Sequence, residues 1–252
     1  MSSDERMQNL RSFLKDSVRK QFDFSTTDQN LGLAPPSIQK PVEEGAELVD
    51  LTPPGKWREV KGIDLQAAMG KRRSRRKFND SSISLDELSF LLWATQGVRD
   101  KPTQTHAFRT VPSAGCRHAL ETYIAAMRVE GLVVGLYRYL PMSHQLVLER
   151  SDKDISSKMV EGSLRQAFVG QAALVFIWTS IPYRMEWRYG EVAHKVIALD
   201  AGHVCQNLYL ACEAIGAGAC AVAAYDQERM DELLRIDGRE EFTIYLAPVG
   251  KI

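Results

Sequence analysis

Cysteine is scarce in this sequence, with four among 252 residues, and no two cysteines form a C-x-x-C pair. Cys116, Cys205, Cys212 and Cys220 therefore predict buried free thiols rather than a disulfide framework or a zinc site. The sequence also lacks H-E-x-x-H, G-x-S-x-G and any paired-carboxylate motif. These absences predict no metal site and give no sign of a serine or metal hydrolase.

Net charge and long apolar runs are lacking as well. The formal net charge is zero, so there is no global attraction to DNA, RNA or an acidic membrane. The longest apolar run, at residues 172–181, is about half of the roughly 20 residues that a transmembrane helix needs. Because the N-terminus also has no signal-peptide pattern, we expect a cytoplasmic protein without nucleic-acid or membrane partners.

The composition divides the chain into two parts. Residues 1–56 combine a charged, weakly amphipathic stretch with a segment that holds five of the ten prolines. Proline removes a backbone donor and restricts the residue before it, so we predict an extended N-terminal arm. Residues 57–252 are predicted to form the main domain, because regular hydrophobic patterns begin there.

Helical and strand patterns alternate in that domain without a βαβ rhythm. Ser84 and Glu87 form a capping box before a helix that is expected to end at Gly97. A long helix is predicted from Val196 to Ile215, because apolar residues recur there at helical spacing. The other predicted elements are helices at 63–69 and from 226, and strands at 122–127, 136–140, 145–148, 174–179 and 243–246. This pattern predicts an α+β fold with a mixed sheet packed by helices.

The strongest local feature is a basic segment, Lys71–Lys77, in which six of seven residues are cationic. Guanidinium groups and the hydroxyl of Ser74 suit a phosphate group. A solvated charged surface is the simpler interpretation, and a nucleic-acid site is disfavoured because no aromatic residues interleave the cations. Val111–Gly115 is a turn of small residues that suits close approach to a flat ligand, although an ordinary loop is the simpler interpretation. Gly216–Ala224 does not fit a Rossmann motif in its context, and tight core packing is the better explanation of its small residues.

Taken in order, these segments resemble the nitroreductase superfamily, specifically its SagB-type branch. The resemblance covers residues 60–252, and no single motif carries it. It includes the opening at Arg72–Phe78, the helix "LSFLLWATQG", the turn "RTVPSAG", "WRYG", the segment from Leu199 to Asp226, and the closing "YLAPVGK".

The resemblance implies an intertwined homodimer with a mainly antiparallel sheet and two flavin mononucleotide (FMN) sites at the interface. The implied phosphate and ribityl contacts are Arg72, Arg73, Ser74 and Arg76, with Lys251 as a late basic residue that reaches the phosphate. Pro112, Ser113 and Ala114 resemble the turn that approaches the flavin, Gln166 an amide that faces the ring, and Ala223 and Ala224 the segment that donates to flavin N5.

The implied activity is two-electron transfer from NAD(P)H to a small nitro, quinone or similar acceptor. The catalytic candidates are Tyr189 and Arg188. Peptide-azoline oxidases of the SagB branch have a lysine–tyrosine pair here, and arginine is a poor base. Oxidation of a peptide heterocycle is therefore the alternative, followed by a flavin-binding protein without turnover. Electron donor, physiological substrate and reaction direction stay open.

Overall fold

The computed structural model describes residues 2–103 and 106–252. The α-helices are α1 (Ser3–Leu14), α2 (Leu65–Lys71), α3 (Leu85–Gln96), α4 (Ile155–Gly162), α5 (Ala167–Gln171), α6 (Tyr183–Tyr189), α7 (Ala193–Ala214) and α8 (Gln227–Leu234). The strands are β1 (Leu48–Asp50), β2 (Leu120–Ala126), β3 (Gly135–Leu140), β4 (Gln145–Ser151), β5 (Leu174–Ser180), β6 (Ala217–Ala219) and β7 (Phe242–Lys251). Within these described residues, no helix combines the length and apolar character needed to cross a bilayer.

One seven-stranded sheet organises the fold, in the order β1-β4-β3-β2-β5-β7-β6, and neighbouring strands pair antiparallel. Strand β5 lies near its centre and every residue of β5 is buried. The continuous apolar run at Leu174–Ser180 therefore reads correctly as a strand that is covered on both faces. The α+β class predicted from the sequence is confirmed.

Helices cover the two faces of the sheet with separate apolar cores. Helices α3 and α7 contribute Leu88, Leu92, Ile197 and Leu208 to the larger core. Helices α4, α5 and α8 pack buried apolar side chains, such as that of Met159, into the second core. The capping box of α3 forms as predicted, since the Ser84 hydroxyl accepts from the Glu87 amide at 3.2 Å.

Strand β7 is longer than the predicted strand at 243–246 because it continues through Pro248. The carbonyl of Val249 accepts from Ala173 on the β5 side, so the backbone groups of Pro248 face the opposite side. On that side the paired part of β6 has already ended, because its last residue, Ala219, lies opposite Val249. The missing N–H of Pro248 thus falls beyond the end of β6, and the Pro248 carbonyl on the same side accepts from the Cys220 amide at 3.3 Å.

The N-terminal segment contains more regular structure than its prolines suggest. Helix α1 precedes all of the prolines and is exposed along its whole length. Strand β1 pairs with β4 at one edge of the sheet, and Ile38 and Leu51 are buried. Helix α6 was also not predicted, because its seven residues are too few to show a helical period.

Candidate functional site

The basic segment runs along one edge of the sheet beside β6. Ser74 forms an isolated parallel bridge with Ala219, and the Arg75 amide donates to the Ala219 carbonyl at 2.8 Å. The side chain of Arg75 crosses Gly218, where a Cβ atom would lie 2.4 Å from its Cγ. The glycine therefore allows the close approach, and the backbone of the segment is fixed in place.

Tyr209 on α7 anchors this edge. Its hydroxyl lies 3.0 Å from the Ser74 hydroxyl and accepts from the backbone amide of Ala221 at 2.7 Å. The guanidinium of Arg72 lies over the Tyr209 ring, 5.3 Å from its centroid. One phenol thus joins the basic segment to the chain that follows β6.

The cations of this segment have no carboxylate partner among the described residues, since none of residues 71–77 takes part in an ion pair. Arg76 instead lies over the ring of Phe168, 5.8 Å from its centroid, and Arg73 is exposed. Burial raises the pKa of the nearby Cys220 thiol, while the charge of Arg76 lowers it. An uncompensated set of guanidinium groups on a fixed backbone fits a phosphate dianion.

Gln166 lies two residues before Phe168 and connects to the same edge. Its Nε2 donates to the carbonyls of Ser163 and Ala224, each at 2.9 Å. Both amide protons are thereby used, so the orientation is fixed and the carbonyl oxygen is the group left for a ligand. Ala223 and Ala224 are both exposed.

The turn at Pro112–Ala114 lies elsewhere along α7, where the buried carboxylate of Asp200 holds it. The Ser113 hydroxyl and the Ala114 amide lie close enough to the Asp200 carboxylate to lower its pKa, but burial dominates and raises the pKa overall. Its Oδ2 has no hydrogen-bond partner within residues 2–103 and 106–252. Pro112 itself is exposed, so this face of the turn is open to a ligand.

Arg188 and Tyr189 pack against the same turn. Gly115 has a φ of +57°, and a Cβ atom there would lie 2.6 Å from Arg188 Cδ and 2.7 Å from the Tyr189 hydroxyl oxygen. Two neighbouring residues, Cys116 and His118, also have positive φ, at 57° and 46°. Strained backbone of this kind is typical of functional loops.

The predicted site residues thus form two groups in one chain. The first contains Arg72, Arg73, Ser74, Arg76, Gln166, Ala223 and Ala224, and the second contains Pro112, Ser113, Ala114, Arg188 and Tyr189. Asp200 and Tyr209, which anchor the two groups, are nine residues apart on α7 and hence about 14 Å apart along its axis. Lys251 joins neither group, because its Nζ donates to Glu87 and to the carbonyl of Ile215, the latter at 2.6 Å.

Three residues of the site were missed from the sequence. Tyr209 and Phe168 look like ordinary residues of amphipathic helices. No neighbouring residue in the sequence indicates their contacts with Ser74 and Arg76. Asp200 carried a usable signal, because it is one of two carboxylates in α7 and falls among the apolar positions of that helix. The structure leaves it 5% exposed. A buried acid of this kind requires hydrogen-bond donors nearby.

Comparison with known proteins identifies the family. Residues 69–251 match the model of the Nitroreductase family. The chain belongs to the nitroreductase family. Membership of this family makes the protein an oxidoreductase, as the sequence predicts.

Three known proteins show how similar the chain is to its relatives. A Methanocaldococcus jannaschii protein assigned to the nitroreductases is 33% identical over 193 residues, which is 77% of this chain and 93% of the relative. The trifolitoxin-processing protein TfxB of Rhizobium leguminosarum bv. trifolii is 26% identical over 62% of this chain and 44% of its own length. The crystal structure of a Ralstonia eutropha JMP134 protein assigned to the nitroreductases superposes with a TM-score of 0.67 and 26% identity, over 87% of this chain and 95% of that chain.

Proposed function

We propose that this protein is an FMN-dependent oxidoreductase that transfers two electrons from NAD(P)H to a small nitro, quinone or similar acceptor. The observation that carries the proposal is the basic segment. Its guanidinium groups lack carboxylate partners among the described residues, and its backbone is fixed beside Gln166 and the exposed residues Ala223 and Ala224. A flavin phosphate and ring need such neighbouring groups.

Each group of residues has a distinct role in this proposal. Arg72, Arg73, Ser74 and Arg76 bind the phosphate and ribityl chain. Gln166, Ala223 and Ala224 face the ring, and bound FMN supplies the hydride chemistry. Lys251 would reach the phosphate only by leaving Glu87, so its contribution depends on breaking that ion pair.

The separation of the two groups supports a homodimer. The turn at Pro112–Ala114 contacts α7 at Asp200, and the basic segment contacts it at Tyr209, about 14 Å away along the helix axis. Two copies of the chain would allow the turn of one protomer to complete the basic site of the other. A sedimentation measurement should therefore give twice the chain mass of 28.3 kDa, and a monomer that retains FMN would refute the shared site.

Arg188 and Tyr189 are the proposed catalytic residues on the substrate side. A phenol can donate a proton at neutral pH, whereas a guanidinium can only stabilise negative charge. A second function, oxidation of a peptide heterocycle, is favoured by the similarity to TfxB and by the presence of Tyr189. Arginine in place of the expected lysine base favours the first function.

The deciding experiment is the identification of the cofactor. Protein purified from flavin-replete cells should be yellow and release FMN close to one per chain on denaturation. Arg72→Ala and Arg76→Ala should each weaken FMN binding by about 1.5–3 kcal/mol, the range for hydrogen bonds to charged groups. Arg229→Ala is the matched control, because Arg229 pairs with Glu161 and Asp226 outside this site. Colourless protein that takes up no FMN would refute the proposal.

A further inference from the structure

A segment of the N-terminal arm, residues 22–33, packs on the helix that carries the proposed catalytic residues. The backbone amide of Gln29 donates to the Trp187 carbonyl at 2.9 Å, and Trp187 Nε1 donates to the Leu33 carbonyl at 3.1 Å. The ring of Phe22 lies so close to Gly190 that a Cβ atom there would be 2.2 Å from its Cζ. This segment lies outside residues 69–251, which match the family model.

The side chain of Gln29 makes the contact that matters most. Its Oε1 accepts a hydrogen bond from Arg188 Nη1 at 3.1 Å, and both residues are half-buried. The opposite flank of Arg188 is the turn, because its Cδ and Nε lie against Gly115. Arg188 is therefore held between the arm and the turn at Pro112–Ala114.

Positive charge is in excess around Arg188. Arg184 is paired with Glu121 at 2.5 Å, and both side chains are buried. Arg188 and Arg117 form no ion pair within the part of the chain that the structure describes, and buried Arg117 Nη2 has no hydrogen-bond partner there. Burial lowers the pKa of Arg117, and the charge of Arg188 lowers it further, which indicates that the two guanidinium groups repel each other.

The nature of the Gln29 contact decides what Arg188 can do. A carboxylate at residue 29 would orient the guanidinium but would also neutralise it. A neutral amide oxygen orients the guanidinium and leaves its charge available. The arrangement is thus suited to recognising a second anion rather than to closing a structural ion pair.

We propose that the substrate side of the site takes an electron acceptor that bears a carboxylate, which Arg188 binds, and that Gln29 is the positioning residue for Arg188. This inference rests on the proposed function, since it places Arg188 at the substrate. A carboxylate there would be drawn to the two unpaired guanidinium groups, and binding it would relieve their mutual repulsion.

The test compares two acceptors of nearly equal shape, 4-nitrobenzoate and 4-nitrobenzamide, with FMN-loaded protein and NAD(P)H. The wild type should prefer the benzoate in kcat/KM, mainly through KM. Gln29→Glu should lower the ratio of the benzoate kcat/KM to the benzamide kcat/KM about tenfold, because it keeps the hydrogen bond to Arg188 but cancels its charge. Arg188→Met should abolish the preference, and Gln29→Glu should add no further loss in that background.

A purely structural role gives the opposite pattern. Gln29→Glu would then behave as the wild type with both acceptors, and Gln29→Leu would weaken both acceptors equally. Either result overturns the proposal. Gln39→Glu is the matched control, because Gln39 Oε1 accepts from the Met142 amide at 3.0 Å elsewhere on the arm.

Failure of the proposed function is separable from failure of this inference. If the protein binds no FMN or reduces neither acceptor, calorimetric titration of 4-nitrobenzoate into the protein decides the anion site alone. Binding that Gln29→Glu and Arg188→Met each weaken about tenfold supports the site. No binding, or binding that both variants retain, overturns it.

Discussion

The hydroxyl groups of Tyr209 and Ser74 lie 3.0 Å apart, although 135 residues separate them in the chain. The same Tyr209 hydroxyl accepts from the Ala221 amide. A single side chain of the long helix thus holds together the basic segment and the residues that follow β6. If the basic segment binds a phosphate, its affinity depends on this phenol even though the phenol carries no charge.

Tyr209→Phe tests that dependence, because it keeps the ring beneath Arg72 and removes only the hydroxyl. Loss of one or both hydrogen bonds, worth about 1 kcal/mol each, should weaken FMN binding about 5- to 30-fold. The measurement is a fluorescence titration of the apoprotein with FMN. Tyr137→Phe is the control, since its hydroxyl donates to the Val133 carbonyl at 2.9 Å on β3, and it should leave the FMN dissociation constant unchanged. Equal affinities in all three proteins would remove Tyr209 from the site.

Asp200→Asn tests whether the buried carboxylate positions the turn. The variant keeps the size of the side chain but removes the negative charge that interacts with the Ser113 hydroxyl and the Ala114 amide. We expect faster FMN dissociation, about threefold or more, with no loss in the free energy of unfolding beyond about 1 kcal/mol, because a costly buried charge is also removed. Stopped-flow dissociation and urea unfolding measure the two quantities.

A double-mutant cycle with Ser113→Ala completes this test. The effects of the two substitutions on FMN dissociation should be non-additive, since both act on the same contact between Asp200 and the turn. Additive effects would mean that Asp200 acts on the flavin site by another route. The Ser113 hydroxyl also accepts from the His118 amide at 2.9 Å, so Ser113→Ala by itself is expected to disturb the turn.

Tyr189→Phe separates proton donation from flavin binding. The Tyr189 hydroxyl lies against Gly115 in the turn, and its removal leaves the ring in place. We expect FMN content to be unchanged and the rate of acceptor reduction to fall about 100-fold or more, the lower end of the range for removing a general acid. Single-turnover kinetics measure flavin reduction and reoxidation separately. Wild-type rates in both steps would leave Tyr189 as an anchor for α7 only.

His118 predicts a pH dependence of stability. Burial lowers its pKa from 6.5 to about 3, and the charge of Arg109 adds to the effect. Below pH 6.5 the unfolded chain takes up a proton that the folded protein refuses, so this stability is present above pH 6.5 and is lost as the pH falls towards 3. Between pH 7 and pH 5 the wild type should lose about 2 kcal/mol relative to His118→Gln.

Urea unfolding of both proteins at each pH measures this difference. A constant difference across the range would mean that the folded protein and the unfolded chain take up a proton at His118 equally readily. That outcome would also weaken the argument for excess positive charge around Arg117, because the charge of Arg117 likewise disfavours a protonated imidazole at His118.

Local patterns in the sequence were enough to predict the main elements. The capping box at Ser84 began α3, helical spacing predicted α7, and a continuous apolar run predicted β5. Each signal works because periodicity and capping depend on residues a few positions apart. The cationic cluster at Lys71–Lys77 was visible for the same reason, since its members are consecutive.

Which side chains contact each other over long sequence distances was decided only by the tertiary structure. Gln29 meets Arg188 across 159 positions, and Tyr209 meets Ser74 across 135. Nothing near either residue in the sequence encodes the other, because which surfaces meet depends on how the sheet orders its strands and how α7 crosses it. The sequence by itself determined that a dense positive segment exists and which faces are apolar. Only the tertiary structure decided that Asp200 contacts the turn, that Glu87 forms an ion pair with Lys251, and that Gln29 of the arm accepts a hydrogen bond from Arg188.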